Sequence, residues 1–343
     1  MNILELTLKE LAGFFRAKFG KGLFHASALY RQIYKTGSRD ILSLPEFAAS
    51  QTFAEKLEKR LILDPGQITD TFREKDLVKF ITRLSDGQKI ESVLIPMTGR
   101  NTLCVSSQAG CRMGCRFCET GRAGLKRNLS VSEIVGQVFN ARFVLGENIK
   151  NIVFMGMGEP FDNFDNVISA VRIMNEQKGF DIALRHITVS TAGLVNGIEA
   201  LGRLNMKGLR LAVSVNAADD KTRSFLMPVH QAHSLQSLKK ALTAFPLTRR
   251  ECFLFEYILI KGLNDSESDA IKLAEYIHPL PVRLNLIPLN PVKGFNYESP
   301  SDDDMQSFAE TLAGQGIFVV KRWSKGRSVA AGCGQLGLAC QPC

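Results

Sequence analysis

The first 60 residues of the chain repeat apolar side chains at helical spacing, as in Leu11, Phe14 and Phe15. Thr7 and Glu10 have the spacing of a capping box, which satisfies backbone N–H groups in the first turn of a helix. The residues predicted to end the first two helices and to begin the third are Gly20, Gly37 and Ser43, with Pro45 in the third helix's first turn. This pattern predicts a small helical accessory domain over residues 1–65.

From residue 66 the apolar period changes from that of a helix to that of a strand. Alternate positions over residues 78–84 are apolar or threonine, and their neighbours are largely polar or charged. Asp86 and Gly87 provide turn chemistry, and residues 90–95 return as a second strand. A connecting β-hairpin is therefore predicted over residues 66–96.

Short apolar runs then alternate with amphipathic helices, one of which follows a second capping box formed by Ser130 and Glu133. Such alternation predicts a parallel sheet with functional side chains at the carboxyl ends of its strands. The predicted strands are 102–106, 152–155, 187–190, 211–215, 253–260 and 284–289. The fold class predicted is α/β, a partial (β/α)6 barrel over residues 97–300, followed by a C-terminal segment over residues 301–343.

Composition agrees with a globular protein: of 343 residues, 45% are hydrophobic and 22% are charged. The N-terminus is too charged for a signal peptide, and no apolar run approaches the roughly 20 residues that a transmembrane helix requires. We therefore expect a cytoplasmic protein that does not contact membranes. A net charge of +9 modestly favours a polyanionic partner such as nucleic acid.

Eight cysteines in such a chain indicate ligands or catalytic thiols rather than structural disulfides. Cys111, Cys115 and Cys118 form a C-x3-C-x2-C loop, which offers three soft ligands and leaves one position of a four-coordinate centre open. This favours an iron–sulfur cluster that also binds a substrate or cofactor. Three of the four ligands of a structural zinc site are the alternative. Cys340 and Cys343 form a terminal C-x2-C, read as a metal or exchange site or as an incidental tail.

Polar motifs follow several of the predicted strands. They are Gly-Met-Gly-Glu-Pro at 156–160, Ser-Thr-Ala-Gly at 190–193, Ser-Val-Asn at 214–216 and Asn-Leu-Ile-Pro-Leu-Asn-Pro at 285–291. Each motif alone is compatible with an ordinary loop cap. Because the carboxyl ends of parallel strands meet at one edge of a sheet, the motifs together predict a polar ring around a zwitterionic ligand.

These motifs are specific in combination. Together with Glu91, the Cys-Val-Ser-Ser-Gln-x-Gly-Cys run at 104–111 and Cys-Gly-Gln-Leu at 333–336, they resemble the RlmN/Cfr family of radical S-adenosylmethionine (SAM) RNA methyltransferases, in particular its RlmN branch. The resemblance extends over nearly the whole chain. It implies a radical SAM barrel and an N-terminal domain that contacts RNA.

The resemblance also implies a role for individual residues. Three thiolates would each bind one iron of a [4Fe-4S] cluster: Cys111, Cys115 and Cys118. The positions that contact SAM in the family fall on Gly158, Glu159, Ser190, Ser214, Val215, Asn216 and Asn290. Cys333 matches the cysteine that accepts a methyl group, Cys104 the thiol that resolves the RNA adduct through a transient disulfide, and Glu91 the proton acceptor.

The chemistry explains why such a set is needed. Adenine C2 is an electron-poor carbon and no nucleophile, so a radical route through S-methylcysteine 333 and two SAM molecules replaces direct displacement. The expected substrate is 23S ribosomal RNA, with transfer RNA as a second candidate, and methylation at adenine C8 is the alternative outcome. A flavodoxin or ferredoxin is the expected electron donor, and the protein is expected to be monomeric. A radical SAM enzyme with a non-RNA substrate and a zinc-stabilised nucleic-acid-binding protein remain as rival hypotheses.

The chain departs from the family pattern in two places. Lys-Gly-Arg-Ser-Val at 325–329 stands where the family usually has Arg-Gly-x-Asp-Ile, so an acidic group near the accepting cysteine is expected to be missing. Asn216 stands where histidine is commoner. Neither departure involves the cluster ligands, the two thiols or Glu91, so we expect the chemistry to be retained and the RNA target to be the property affected.

Overall fold

The structure is a computed structural model that describes residues 1–97, 99–323 and 325–337. It opens with the helices α1 (Leu8–Phe19), α2 (Leu23–Thr36), α3 (Pro45–Ala48) and α4 (Gln51–Glu58). The predicted capping box of α1 is confirmed, because the N–H of Thr7 donates to the Glu10 carboxylate at 2.8 Å and the N–H of Glu10 donates to the Thr7 hydroxyl at 3.3 Å. Gly20 and Gly37 end α1 and α2 in the left-handed conformation, as predicted.

The third predicted helix differs from the one observed. It begins at Pro45 rather than Ser43 and is interrupted at Ser50, after which α4 begins. The interruption brings the rings of Phe47 and Phe53 into a stacked contact, with centroids 5.5 Å apart, and both rings are buried. Packing of these two rings therefore outweighs the continuity of one helix.

An antiparallel group of strands follows: β1 (Gln67–Glu74), β2 (Leu77–Arg83), β3 (Lys89–Met97) and β4 (Arg100–Cys104). The predicted hairpin is the β2–β3 pair, in which Ile81 faces Glu91. Strand β1 was not predicted from the sequence. Its side chains are mostly exposed or half-buried and its sequence is mainly polar, so it lacks the alternation that marks a half-buried strand.

Strand β4 begins the parallel part of the sheet, which continues in the order β4-β7-β8-β9-β10-β11-β12. These strands are β7 (Ile149–Phe154), β8 (Ile187–Thr191), β9 (Arg210–Ser214), β10 (Phe253–Leu259), β11 (Val282–Pro288) and β12 (Phe318–Lys321). The six predicted parallel strands are thus present, and β12 adds a strand that was not predicted. A separate antiparallel pair is formed by β5 (Gln108–Ala109) and β6 (Arg127–Asn128). The predicted fold class, α/β with a mostly parallel sheet, is confirmed.

Helices connect the strands and cover the sheet: α5 (Glu119–Ala123), α6 (Val131–Phe139), α7 (Phe164–Asn175), α8 (Val195–Leu204), α9 (Asp220–Leu226), α10 (Leu235–Ala244), α11 (Glu267–Ile277) and α12 (Asp302–Gly314). Ser130 and Glu133 form the predicted capping box of α6. In the described residues no helix is both long enough and apolar enough to cross a membrane.

The N-terminal helices pack directly on the sheet-bearing part of the chain. The rings of Tyr34 and Phe180 are 4.9 Å apart, and the hydroxyl of Ser132 on α6 donates to Glu5 at 3.1 Å. Buried side chains of both parts belong to one continuous apolar core. The domain boundaries at residues 65, 96 and 300 stay a prediction.

Candidate active site

The cysteine loop lies between β5 and α5 and is closed by backbone contacts. At Gly110, φ is 81° and a Cβ atom would lie 1.9 Å from the carbonyl oxygen of Gly124, so only glycine fits. The N–H of Cys111 donates to that oxygen at 3.2 Å, and the N–H of Cys118 donates to the carbonyl of Cys115 at 3.2 Å. All three thiols face an apolar cluster. The loop is therefore organised by the protein itself.

Burial dominates the electrostatics of these thiols. Desolvation raises the pKa of Cys111 to about 12 and also raises the pKa values of Cys115 and Cys118 above the usual value for a thiol. Each of the three is also influenced by at least one nearby acidic group, and for Cys115 these include the other two thiols. Binding to iron would therefore displace protons from neutral thiols.

The three cysteines offer the soft donor atoms that an iron–sulfur cluster binds. Among the residues that the structure describes, no three His, Cys, Asp or Glu side chains converge closely enough to hold one metal ion. A cubane cluster does not require such convergence, since each thiolate binds a different iron. Three soft donors on one closed loop are the donor set that a cluster with an open iron needs.

The Gly-Met-Gly-Glu-Pro turn follows β7 and contacts the end of β8 through Glu159. Gly158 has φ of 99°, and a Cβ atom there would lie 2.5 Å from the Cβ of Gln108. The carboxylate of Glu159 accepts hydrogen bonds from the N–H of Phe161 at 3.1 Å and of Ala192 at 2.7 Å. Burial raises the pKa of Glu159 to about 7. Glu159 thus fixes two strand ends relative to each other.

The next strand ends bring four more predicted residues to the same edge. Ser190 lies in β8 and is nearly buried, Ser214 ends β9, and Val215 follows it. Asn216 has φ of 58°, a conformation that asparagine tolerates better than most residues. Its Oδ1 accepts from the N–H of Ile258 at 2.9 Å. Asn216 therefore holds β9 to β10 through its side chain, which gives a structural reason for asparagine at this position.

Asn290 follows β11 and reaches the C-terminal segment. Its Nδ2 donates to the carbonyl of Cys333 at 2.9 Å. Its Oδ1 is buried and accepts no hydrogen bond from the described residues. A buried acceptor without a donor is costly, so a ligand ammonium or hydroxyl group would satisfy it. This orphaned atom fits the polar head of SAM.

The C-terminal segment folds back over the cysteine loop. The N–H of Glu119 donates to the carbonyl of Gly334 at 2.7 Å, and the hydroxyl of Thr120 donates to the carbonyl of Leu336. A Cβ at Gly334 would lie 2.6 Å from the carbonyl oxygen of Phe117, so the two segments touch through their backbones. Cys333 is consequently held beside the loop although the two are far apart in sequence.

Cys104 and Cys333 are both free thiols, and the fold brings them into one site. Burial at the end of β4 and the nearby Cys333 raise the pKa of Cys104 to about 12. Cys333 is an exposed residue, yet surrounding protein atoms desolvate its thiol. This desolvation, with Glu256 and Cys118 nearby, raises its pKa to about 11. Both thiols are therefore neutral until a base or a ligand changes their environment.

Known proteins share this arrangement over nearly the whole chain. A model of the Radical SAM superfamily matches residues 105–274. A probable dual-specificity RNA methyltransferase RlmN 1 of Protochlamydia amoebophila is 39% identical over 98% of this chain and 94% of its own length. A dual-specificity RNA methyltransferase RlmN of a Nitratiruptor species is 38% identical over 98% of this chain and 97% of its own. The chain belongs to the RlmN family.

A solved structure agrees with this assignment. The crystal structure of a radical SAM methyltransferase from Sphaerobacter thermophilus matches 98% of this chain and 99% of its own, with a TM-score of 0.89 and 37% identity. This RlmN-family chain is accordingly a SAM-dependent methyltransferase of the radical class, and the family implies a [4Fe-4S] cluster and SAM as its cofactors.

Glu91 in this RlmN-family site forms a buried ion pair that sequence reasoning missed. The Nζ of Lys79 on β2 lies 3.1 Å from Glu91 Oε1 on β3, and both side chains are 2% exposed. Glu91 Oε2 accepts from the N–H of Gly337 at 2.7 Å, and Lys79 also donates to the carbonyl of Ala330 at 3.2 Å. The pair thus connects the antiparallel strands to both sides of Cys333. The alternation over residues 78–84 predicts that Lys79 lies on the polar face of β2. Leu77 and Ile81 lie on the same face as Lys79, and these apolar neighbours indicate burial.

A second missed group surrounds Cys333 from the parallel strands. Glu256 on β10 accepts from Nδ2 of Asn285 at 2.7 Å, and Nε of Arg322 donates to Oδ1 of Asn285 at 3.0 Å. Burial raises the pKa of Glu256 to about 7. The expected loss of acidic character near Cys333 is therefore offset by Glu256. The one feature of the sequence that could have indicated Glu256 is its position as a glutamate inside an otherwise apolar strand.

Ser328 occupies the position where the family usually has aspartate. Its N–H donates to the Glu74 carboxylate at 2.9 Å and its hydroxyl donates to the same oxygen, while the N–H of Gly326 donates to the other oxygen at 2.9 Å. These hydrogen bonds lower the pKa of Glu74. A carboxylate from the unpredicted strand β1 is therefore present beside position 328, where a second carboxylate would be repelled.

Arg223 on α9 is a further residue that the motifs did not reveal. The guanidinium is fully buried and donates to the carbonyls of Ala192 at 2.8 Å and Val215 at 3.1 Å. It thereby ties the ends of β8 and β9 together beneath the cysteine loop. Cys340 and Cys343 lie outside the residues that the structure describes.

Proposed function

We propose that this chain is an RNA methyltransferase that adds a methyl group to a ring carbon of adenine, with C2 favoured, through an S-methylcysteine at Cys333. The observation that carries the proposal is the position of Cys333. Hydrogen bonds from Asn290 and Glu119 hold its segment next to Cys118, with Cys104 and Glu91 on the other side. A methyl acceptor needs this proximity to both a radical source and a second thiol.

Cysteines 111, 115 and 118 would hold the [4Fe-4S] cluster. The strand-end residues form the SAM site: Gly158, Glu159, Ser190, Ser214, Val215, Asn216 and Asn290. Several of their polar groups already hold the strand ends in place, and the unsatisfied Oδ1 of Asn290 is the atom best suited to a SAM donor. When bound, the cluster and SAM supply the methyl group and the organic radical that this chemistry requires.

The protein residues divide the remaining work. Cys333 takes the methyl group on sulfur, and the organic radical that SAM would supply would remove one hydrogen atom from that S-methyl group. The remaining methylene carbon would bond to the adenine carbon, and the adduct would return one electron to the cluster as its ring proton leaves, so that Cys333 stays covalently linked to the RNA. Glu91 accepts the proton from the ring carbon, and the Nζ of Lys79 lies 3.1 Å from its Oε1 in this buried site. Cys104 then attacks the Cys333 sulfur, so the C–S bond breaks, a disulfide forms and the methylene carbon takes a proton.

Glu91 and Cys104 are held on adjacent strands, because Val93 on β3 pairs with Cys104 on β4. Base and resolving thiol therefore share one rigid antiparallel unit, and Cys333 approaches from the C-terminal segment. In this arrangement the C-terminal segment would carry the RNA adduct on Cys333, and the antiparallel strands would supply the groups that release the methylated RNA.

The substrate is proposed from the relatives, which are named dual-specificity RNA methyltransferases. We propose 23S ribosomal RNA and, as a second substrate, transfer RNA, with adenine C2 preferred over C8 because the relatives carry the RlmN name. The net charge of +9 suits a polyanion. A flavodoxin or ferredoxin as electron donor, a monomeric state and a cytoplasmic location complete the proposal.

The test is anaerobic turnover of the reconstituted protein with methyl-labelled SAM and ribosomal RNA, followed by mass spectrometry of digested protein and RNA. We expect label on Cys333 before RNA is added, and on one adenine carbon afterwards. Nuclease digestion to nucleosides separates 2-methyladenosine from 8-methyladenosine. Label on neither the cysteine nor an adenine overturns the proposal, and label at C8 overturns the preference for C2.

A further inference from the structure

A cavity of about 280 Å³ opens beside the proposed active site, between the cysteine loop and the segment that follows β11. Arg116 and Arg122 line it from the cysteine loop and α5, and Phe225, Phe295 and Tyr297 line it from α9 and from the segment after β11. Its volume is at the lower end of ligand pockets, which begin at roughly 300 Å³. It is therefore sized for one small planar group and not for a large ligand.

The aromatic side chains form a continuous surface. Ring centroids of Phe295 and Tyr297 are 4.8 Å apart, and those of Phe225 and Tyr297 are 6.1 Å apart. The guanidinium of Arg116 lies 4.2 Å from the centre of the Phe225 ring. Tyr297 is 37% exposed, so part of its ring remains accessible from the cavity. Aromatic faces and a guanidinium plane are the surfaces on which unpaired bases stack.

The charges of this cavity are not neutralised. Arg116 and Arg122 form no ion pair with any residue that the structure describes. Other arginines of the same region do: Arg112 contacts Asp162 at 2.8 Å, and Arg127 contacts Asp86 at 2.6 Å. Two unpaired guanidinium groups beside an aromatic wall favour an anionic ligand with a planar part.

The cavity is adjacent to the segment that carries Cys333. Phe117 separates Arg116 from Gly334 and touches Gly334 through its carbonyl oxygen. On the other wall, Nε2 of Gln335 donates to the carbonyl of Pro291 at 3.3 Å. The two segments that form the cavity are thus the two that hold Cys333. A ligand in the cavity would therefore lie beside the segments that position Cys333.

We propose that this cavity binds the nucleotide next to the methylated adenine, with its base stacked on Tyr297 and its phosphate held by Arg116 and Arg122. The inference rests on the proposed function and goes further, because it assigns a site to a flanking nucleotide. Chemistry on a ring carbon requires the adenine to leave its stack, and its neighbour then loses a stacking partner. The aromatic wall replaces that partner and holds the RNA in register.

An acidic electron-donor protein is the competing occupant, since the two arginines lie beside the cysteine loop. The cavity favours the nucleotide, because a protein surface has no need of a recess lined by three aromatic rings. RNA methylation by Tyr297→Leu, measured once with dithionite and once with a reduced flavodoxin as the electron source, separates the two occupants.

The key variant is Tyr297→Leu, with Tyr297→Phe as the conservative variant that retains the ring. Phe318→Leu is the matched control, because Phe318 is also exposed and lies 5.1 Å from the Arg283 guanidinium, at the opposite, amino-terminal ends of β11 and β12. The probe is the shortest RNA fragment methylated in the labelling experiment, and its affinity for the cluster-loaded protein is measured by fluorescence anisotropy.

We expect Tyr297→Leu to weaken RNA binding roughly 5- to 100-fold, which is the range for loss of one base stack. Tyr297→Phe and Phe318→Leu should bind as the unchanged protein does. Methylation of Cys333 in the absence of RNA should be equal in all of them, because that step needs only SAM. Arg122→Gln should lower the salt dependence of RNA binding by about one released counterion.

A modified RNA identifies the bound nucleotide. Removing the base on the 5′ or the 3′ side of the target should weaken binding to the unchanged protein on one side only. With that RNA, Tyr297→Leu should cause no further loss, since ring and base form one interaction. Equal affinity of Tyr297→Leu for intact RNA overturns the inference. The inference is also overturned if Tyr297→Leu methylates RNA poorly with reduced flavodoxin but normally with dithionite. Absence of label on Cys333 in the unchanged protein would instead refute the proposed function.

Discussion

Two sets of residues surround the cysteine loop, and the fold holds them in different ways. At the ends of the parallel strands, Glu159 and Asn216 bond to backbone N–H groups of neighbouring strands, so each belongs to the framework of the sheet. Around Cys333, the contacts join segments that are distant in sequence, such as Lys79 with Glu91 and Gly337 with Glu91. The first set is fixed by the sheet and the second by the docking of the C-terminal segment.

Because the two sets are held in different ways, substitutions at the strand ends and substitutions around Cys333 should have separate effects. Framework residues should affect stability and SAM binding together, because the proposed SAM site is formed by the strand ends themselves. Residues around Cys333 should affect individual steps of the reaction while the sheet remains intact. The predictions below test this separation, beginning with the largest effect.

Cys333→Ala should abolish RNA methylation, by roughly a thousandfold or more, because it removes the sulfur that accepts the methyl group in the proposed reaction. Iron content and SAM binding should be unchanged, since the substitution lies outside the sheet. Cys252→Ala is the control: Cys252 precedes β10 at the amino-terminal end of the sheet. Labelled product and iron per chain are the measurements, and loss of activity in both variants would contradict the prediction.

Lys79→Met should reduce RNA methylation roughly 100-fold, because a base in a buried site loses its stabilising ammonium. It should also lower the free energy of unfolding by about 3 to 5 kcal/mol. Methylation of Cys333 by SAM should persist, and Lys79→Arg should restore part of the activity. The matched control is Lys261→Met, whose partner Glu298 is also 3.1 Å away but exposed, and which should change neither property. Equal losses in the Cys333 and RNA methylation steps would indicate misfolding instead.

Gly158→Ala should lower the free energy of unfolding by about 3 kcal/mol, because it combines a left-handed backbone with a clash against Gln108. Gly262→Ala is the control: φ is 70° there, but the space around it is open, so a loss of about 1 kcal/mol is expected. Urea unfolding of both variants measures the difference. Similar losses would show that the Gln108 contact is relieved by movement of the loop.

Glu256→Gln tests the smallest effect, a pH dependence of stability. Burial raises the pKa of Glu256 to about 7, so the folded state binds its proton more tightly than the unfolded state does. The stability that this proton provides is present at low pH and is lost as the pH rises through about 7. Between pH 5 and pH 8, the free energy of unfolding of the unchanged protein should therefore fall by about 2 kcal/mol more than that of Glu256→Gln. Urea unfolding at both pH values checks this, and parallel pH profiles would refute it.

Much of the fold followed from local sequence. The capping boxes at Thr7 and Ser130 and the glycines at positions 20 and 37 mark helix ends through chemistry that involves only neighbouring residues. The six parallel strands were visible as apolar runs. Strand β1 was missed because its side chains are mainly exposed, and the helix predicted from Ser43 was divided because two phenylalanine rings pack together.

The residues of the candidate site also fall into those that local motifs predicted and those that they missed. The cysteine loop could be predicted because its three ligands lie within eight residues, and a motif therefore records them. Lys79 was missed because the alternation of β2 places it on a polar face. Its burial becomes clear only when Glu91 on the neighbouring strand is known to pair with it. Glu74 beside Ser328 was missed because its strand itself was missed.

The sequence by itself determined the cysteine loop, the strand-end motifs, the helix caps and, through their combination, the family. These features depend on residues a few positions apart, whose geometry the local backbone sets. Only the tertiary structure decided that Lys79 faces Glu91, that Glu256 lies near Cys333, and that two unpaired arginines and three aromatic rings enclose a cavity beside it. Those relations join segments that meet only after the chain has folded, because burial of the apolar core fixes how they approach one another.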